Sequence, residues 1–353
     1  PYLWAKWQAL TDHPLVGEAK LVGLMGSIAL TPNKATRAKF ATDTGTVGYR
    51  CRERCFANDL IMRHVGDRMI ISPPLVITPD EIDILIDLHG LSSGARPGIF
   101  ALNPGVLQGT YLGFIGTTGM PWLDFVVADR QALPDELATY FVEKPLYLEG
   151  SFIPLTDQRP DFKPSTRQDN GLPEKAFVMA SFGNVYKINE PLFSAWMDIL
   201  QAAPGAVLWL VDDNASATAN LRQFASSRGV DSDRLIFTPR VTHQAYRGNL
   251  RLVDLFLDTF PYNCGSTTND AINAGLPLVT RSGKTLVSRM GQSVLSSVGI
   301  SELITTSDEQ YIHTCLRLSE DQKFSEMIRE KLERNRSNLR LGMRIPFDRI
   351  QSK

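Results

Sequence analysis

A chain of 353 residues exceeds what one ordinary hydrophobic core fills and leads us to expect about two domains. Hydrophobic residues make up 43% and charged residues 21%, a balance that excludes a disordered or fibrous chain. Lysine plus arginine (37) nearly balance aspartate plus glutamate (38), so no global field draws in nucleic acid or an anionic membrane, and any polyanion must be met locally.

In chain order, residues 82–88 (IDILIDL) read as a short buried strand that His89-Gly90 ends with a turn. Residues 109–114 and 124–128 repeat the pattern, each followed by loop residues and a helix-like stretch, as parallel βαβ units require. A run rich in Pro, Asp, Arg and Ser at 155–174 has no apolar period and reads as a linker with a boundary near residue 165. Beyond it strands at 176–182, 207–211, 235–237, 252–258 and 277–280 alternate with helices at 190–202 and 215–228, a second doubly wound domain. Asn189 is placed to cap the first of these helices and Pro204-Gly205 to stop it. A charged amphipathic stretch at 321–335 is expected as a terminal helix on a domain surface. The expected plan is a Rossmann-like domain over 1–160, a second over 165–325 and a helical extension over 326–353, with no internal repeat.

The longest apolar runs, at 206–211 and 252–257, fall far short of the roughly 20 residues that cross a bilayer, so no membrane span is expected. Four cysteines are too few for a disulfide framework and lack zinc-ligand spacing, which points to a reducing cytoplasm. Cys51 and Cys55, four residues apart, would share a helix face, and ordinary burial is preferred to a metal or redox role. The chain opens at Pro1 with neither a Met nor a signal-like run and reads as a trimmed piece of something longer.

The densest polar constellation runs from Asp258 to Asp270 (DTFPYNCGSTTND), between an apolar strand and a helical stretch. A helix beginning at Ser266 or Thr267 would aim unpaired N–H groups and short hydroxyls at one point, as phosphate-binding folds do; the same hydroxyls would equally serve as plain helix caps. Asp270, one turn in, is placed to accept bonds from ribose hydroxyls. After another strand, Gly183 permits a turn that brings Asn184 and Lys187 over the carboxyl edge of the sheet, where open α/β sheets bind ligands. Lys187 there is either a point charge against a diphosphate or a solvated surface lysine.

FGNVYKIN (182–189), VLWL (207–210), DLFLDTFPYN (254–263), AGLP (274–277) and KTLVSR (284–289) together resemble the catalytic region of the O-GlcNAc transferase/SPINDLY family. DEIDILIDLHG (80–90), LGFIGTTG (112–119) and Asp124 resemble its first catalytic domain in the same order, so the likeness spans roughly residues 80–350. The resemblance implies an α/β GT-B fold of two Rossmann-like domains facing a cleft, with a UDP-sugar held chiefly by the C-terminal one. It implies diphosphate contacts for Asn184 and Lys187, phosphate contacts for Ser266 and Thr267, and a ribose contact for Asp270. Val241 and His243 fall where the family reads uracil and touches ribose, and Tyr246 where an aromatic ring stacks on the base. Asp12-His13-Pro14 resembles the family's turn after its first strand, with 2–7 as that strand and another near 39–41, so His13 would project toward the acceptor hydroxyl as base or proton shuttle.

Three departures stand out. Gly265 occupies the position where the family usually has His, which removes an imidazole donor and opens the donor's identity. Ile115 replaces a turn proline. The helical-repeat superhelix that selects acceptors in the family has no counterpart here, so either it lies outside this chain or acceptors are chosen by other means. The reading is an inverting transferase that moves GlcNAc from UDP-GlcNAc to Ser or Thr hydroxyls of proteins or peptides. The UDP-sugar is the donor substrate with no cofactor, and no metal is expected, since no DxD-like pair has ligand spacing. The alternatives are glucose from UDP-glucose to Asn, fucose from GDP-fucose to Ser or Thr, and a non-catalytic nucleotide-binding scaffold.

Overall fold

The computed structural model describes residues 7–22, 25–43, 45–56, 62–71, 84–103, 107–155 and 161–336. Contacts divide the chain into two units, Pro1–Asp83 with Pro104–Val106, and Ile84–Asn103 with Leu107–Lys353.

The first unit is an antiparallel sheet. Strands β1 (Val16–Val22), β2 (Met25–Leu30), β3 (Met62–Val65) and β4 (Arg68–Ile71) lie in the order β1-β2-β4-β3, joined as two hairpins. Helix α1 (Thr46–Phe56) accompanies the sheet, and the buried side chains are Trp7, Val16, Ala19, Ile28 and Met69. Trp7 Nε1 donates to the Lys20 carbonyl at 2.9 Å, and the Arg68 guanidinium bridges Glu18 at 3.0 Å. Together the Lys20 and Arg68 partners hold the Glu18 carboxyl below its usual range. Gly48 lets α1 approach the turn between β3 and β4, because a Cβ there would stand 2.1 Å from the Gly66 carbonyl oxygen.

This unit corrects the expected plan. A Rossmann-like domain over 1–160 requires parallel strands from its start, and the described strands before residue 72 are all antiparallel. The strand expected at 2–7 lies outside the described residues except for Trp7, which is helical, and 39–41 pairs with no strand. Cys51 and Cys55 sit half-buried on α1 against the small core, where burial raises the Cys51 thiol, in keeping with packing rather than reactivity.

The second unit holds two parallel sheets. In the first, β5 (Ile84–Asp87), β6 (Leu107–Thr110), β7 (Phe125–Ala128) and β8 (Lys144–Tyr147) follow one another across the sheet. The short helices α2 (Pro97–Ala101) and α3 (Asp135–Ala138) lie in its connections. Gly109 is required on β6, since a Cβ there would meet the Phe125 ring at 2.3 Å.

The second sheet has six strands: β9 (Phe177–Ser181), β10 (Ala206–Val211), β11 (Leu235–Thr238), β12 (Leu255–Leu257), β13 (Leu278–Arg281) and β14 (Ile304–Thr305). Their order, β11-β10-β9-β12-β13-β14, reverses between β9 and β12. That reversal is the topological switch point, where the loops leaving two neighbouring strands diverge and open a crevice at the carboxyl edge. The helices are α4 (Glu190–Ala202), α5 (Ala215–Ser227), α6 (His243–Leu250), α7 (Ser266–Asn273), α8 (Met290–Ser297), α9 (Asp308–Glu320) and α10 (Gln322–Arg336).

Local chemistry explains these elements. Asn189 caps α4 by accepting from the Leu192 N–H at 3.1 Å. Leu192, Phe193, Trp196, Met197 and Leu200 recur at helical spacing on α4 and are all buried, each contributing roughly 1.5–3 kcal/mol. Trp196 finds a partner for its indole N–H in the Tyr311 hydroxyl of α9, 3.2 Å away.

One continuous buried cluster runs from Phe125 to Leu332 and takes in both parallel sheets. Residues 161–174 of the expected linker are tied to that body. Arg167 donates to the carbonyls of Glu174 and Ala176 and bridges Asp254 at 3.1 Å, and the Lys163 N–H donates to the Gln244 carbonyl at 2.9 Å. The two sheets are also joined through Asp129, whose carboxylate accepts from the Phe152 N–H at 2.7 Å and from the Ser293 hydroxyl of α8 at 2.6 Å. The contact division falls at residue 83, and residues 161–174 lie between the last strand of one parallel sheet and the first strand of the other.

Candidate functional site

The crevice lies between the loops after β9 and β12. The β9 loop turns through Gly183 and a short 3-10 turn, Val185–Lys187, and presents Lys187 to the β12 loop. The Lys187 ammonium donates to the Asn263 carbonyl at 2.8 Å and stands 3.9 Å from the Tyr262 ring centroid. Asn189 ties the same two loops, its amide donating to the Phe260 carbonyl at 2.6 Å. Gly183 suits this approach, since even a Cβ would reach the Cys264 sulfur at 3.0 Å.

The β12 loop is built around buried polar groups. Asp258, fully buried, accepts from the Cys264 N–H at 2.6 Å with Oδ1 and from the Thr280 hydroxyl at 2.6 Å with Oδ2. The buried Asn263 side chain donates to the Thr259 carbonyl at 2.7 Å and accepts from the Gly291 N–H at 3.3 Å. Gly291 is sterically required: a Cβ would come within 2.4 Å of the Asp258 carboxylate. Burial pushes the Asp258 carboxyl up to about 6, against the bonds from Thr280 and Cys264 and the charge of Lys187.

This scaffold delivers the N-terminus of α7. Its cap residue is Gly265, which provides no side-chain cap, so the first-turn N–H groups have neither a carbonyl one turn back nor a capping oxygen. Ser266 and Thr267 are the first two helical residues and not caps, which removes the plain capping role that their residue types also allowed. Thr268 is the hydroxyl turned inward, donating to the Cys264 carbonyl.

A cleft of about 290 Å³ adjoins this terminus, lined among others by Phe182, Arg240, His243, Tyr246, Thr267 and Asp270. Its size suits a nucleoside-sized group at the lower end of ligand pockets. Tyr246 packs into the wall, its ring edge-on to Phe182 at 5.8 Å, and the His243 ring lies parallel to it at 5.8 Å. Tyr246 and His243 thus both line the cleft, and of the two rings His243 is the more exposed. Asp270 lies 3.6 Å from the His243 Nε2; burial raises its carboxyl, and His243 works against that rise.

The structure thus gathers the expected residues unevenly. Val241, His243, Tyr246, Ser266, Thr267 and Asp270 line one cleft, and Gly265 caps the helix beside it. Lys187 joins from the β9 loop through Asn263, and Asn184 through a bond from Arg240. His13 belongs to the first unit. It ends a 3-10 turn (Leu10–Asp12) and its Nδ1 accepts from the Leu15 N–H at 3.2 Å. A helical residue precedes that turn and an antiparallel strand follows it, and the strand expected before His13 lies outside the described residues except for Trp7. Sequence reasoning named Asp258 only as the start of the polar stretch and gave no role to Asp213 or Arg240. A charged residue closing the apolar run LFLD was the available signal for Asp258. The other two are ordinary loop residues until the fold pairs them. Among the described residues no group of three or more His, Cys, Asp or Glu is placed to hold a metal, and no helix is long and apolar enough to cross a membrane.

A sequence model of glycosyl transferase family 41 matches residues 75–164 and 156–343, which leaves His13 outside the match. Over 213 residues, 58% of this chain and 22% of the relative, the sequence is 35% identical to the probable UDP-N-acetylglucosamine–peptide N-acetylglucosaminyltransferase SEC of Arabidopsis thaliana. A solved O-GlcNAc transferase mutant of Thermobaculum terrenum superposes with a TM-score of 0.67 at 28% identity, covering 74% of this chain and 50% of that one. A separate likeness, 62% identity over 88 residues, relates 25% of this chain to 19% of the putrescine–pyruvate aminotransferase of Pseudomonas aeruginosa. The chain thus spans about a fifth of the length of these curated relatives.

Proposed function

Because the chain belongs to glycosyl transferase family 41, we propose that it holds UDP-GlcNAc at the carboxyl edge of the six-stranded sheet and transfers the sugar to Ser or Thr hydroxyls of a protein or peptide, with inversion and without a metal. The carrying observation is that Lys187 is fixed beside an uncapped helix N-terminus at the switch point. Attack of the acceptor hydroxyl on the anomeric carbon forms the new glycosidic bond and breaks the bond to the diphosphate, the hydroxyl proton passing to the departing diphosphate or to solvent, and negative charge builds on the departing oxygen. An ammonium and oriented N–H groups already in place stabilise that charge more than the ground state. Asp270 suits the ribose hydroxyls and His243 the base. His13 has no part in this reading, since it lies outside both the family match and the unit that carries the cleft.

The test is mass spectrometry of a peptide library after incubation with UDP-GlcNAc, UDP-glucose and GDP-fucose, with and without chelator. A HexNAc adduct on Ser or Thr, unchanged by chelator, is expected. Adducts only from GDP-fucose, or only on Asn, would replace the donor or acceptor named here, and binding without any adduct would leave a nucleotide-binding scaffold.

Gly265 supplies a second handle. Its φ of −75° suits any residue, and a Cβ would make only ordinary contact with Met290, 3.5 Å from the sulfur. Gly265→His is therefore expected to fold with stability within about 0.5 kcal/mol of the parent. It should tighten UDP binding several-fold in isothermal titration by adding an imidazole donor at the helix N-terminus. A lower affinity in a folded variant would show that the diphosphate lies elsewhere.

A further inference from the structure

We propose that Arg240 is a positioning residue that turns Asn184 into a hydrogen-bond donor toward the diphosphate, an inference that rests on the nucleotide-binding reading above. Asn184, Asp213 and Arg240 follow β9, β10 and β11, three adjacent parallel strands, so their loops emerge at one edge of the sheet. Arg240 forks onto Asp213, Nε to Oδ1 and Nη2 to Oδ2 at 2.6 Å, and Nη2 also donates to the Asn184 Oδ1 at 2.6 Å.

A guanidinium has donors only, so the Asn184 atom facing it must be the oxygen. The amide nitrogen is then forced to the other side, where it donates one hydrogen to the Tyr186 hydroxyl at 3.2 Å and keeps a second to give. A diphosphate offers only acceptors, and an unrestrained Asn would present its oxygen to it about as readily as its nitrogen. Arg240 removes the wrong orientation. Its own charge is neutralised by Asp213, so it acts through the amide and not as a counter-charge to the ligand.

The test is titration of UDP and of uridine into the whole chain and into Arg240→Ala, Asn184→Ala, the double variant and Arg240→Lys, with thermal midpoints as the folding control. Arg240→Ala is expected to weaken UDP about tenfold and to leave uridine, which has no phosphate, unchanged. In the Asn184→Ala background the same substitution should change UDP affinity by less than about twofold, because the two act as a unit. Arg240→Lys keeps the charge but not the fork, and should recover only part of the affinity. Additive losses, or equal losses for UDP and uridine, would overturn the positioning role in favour of direct contact or general damage. If the parent chain binds no nucleotide, the proposed function falls and this inference with it.

Discussion

Lys187→Met is expected to lower kcat/KM for the sugar donor by about 10²–10³, the range for removing one pre-organised charge-stabilising donor. Methionine keeps an unbranched stem where the Lys187 chain passes Gly183, so the fold should be preserved. What disappears is the ammonium that bonds the Asn263 carbonyl and overlies Tyr262. The charge matters most as the nucleotide departs, so the loss should appear chiefly in kcat, with KM changing by less than about threefold. Steady-state kinetics beside a thermal melt measure this. A folded variant that retains its kcat would remove Lys187 from the reaction.

Asp258→Ala should destabilise the second unit by about 2–4 kcal/mol. The carboxylate is fully buried, and truncation leaves the Cys264 N–H and the Thr280 hydroxyl without acceptors beneath the loop that launches α7. Asp258→Asn behaves differently. Its amide keeps the shape and one acceptor, and the Thr280 hydroxyl can accept as well as donate.

In the parent the folded carboxyl titrates near 6, above its ordinary 3.8, with burial the leading cause. Between those values the native state binds more protons than the unfolded one, so stability falls as pH rises through that window. The penalty, on the order of 3 kcal/mol, is fully present above pH 6 and absent below pH 3.8. Asn carries no such penalty, so Asp258→Asn should gain stability relative to the parent at pH 7.5 and gain little at pH 4.5. Urea unfolding at the two pH values measures this, and an equal difference at both would show that the carboxyl does not titrate in this window.

These effects depend on a crevice that was only half visible in the residue order. Apolar runs such as AVLWLV and the Asn189 cap specify strands and helices locally, so β9, β10 and α4 lie within a residue of where they were expected. The dense polar stretch 258–270 stood out for the same reason, since a run of charged and hydroxyl residues directly between an apolar strand and a helix is legible in the residue order.

The first unit misled because a polar turn such as Asp12-His13-Pro14 has the same short-range chemistry after a parallel strand as before an antiparallel one. Only strand pairing distinguishes them, and pairing is a long-range property. Tyr246 shows the same limit: the sequence placed an aromatic ring at the cleft, but its edge-on packing with Phe182 and its parallel neighbour His243 are set by the fold.

By itself, then, the sequence determined the α/β elements from β5 onward and the dense polar turn after LFLD, because propensity, capping and hydrophobic period act over a few residues. The tertiary structure alone decided that β9 and β12 are neighbours at a reversal of strand order, that Lys187 meets Asn263, that Arg240 orients Asn184, and that His13 belongs to another unit. Those pairings join residues 56 to 76 positions apart, and only the closing of a shared hydrophobic core brings such distant groups within hydrogen-bond reach.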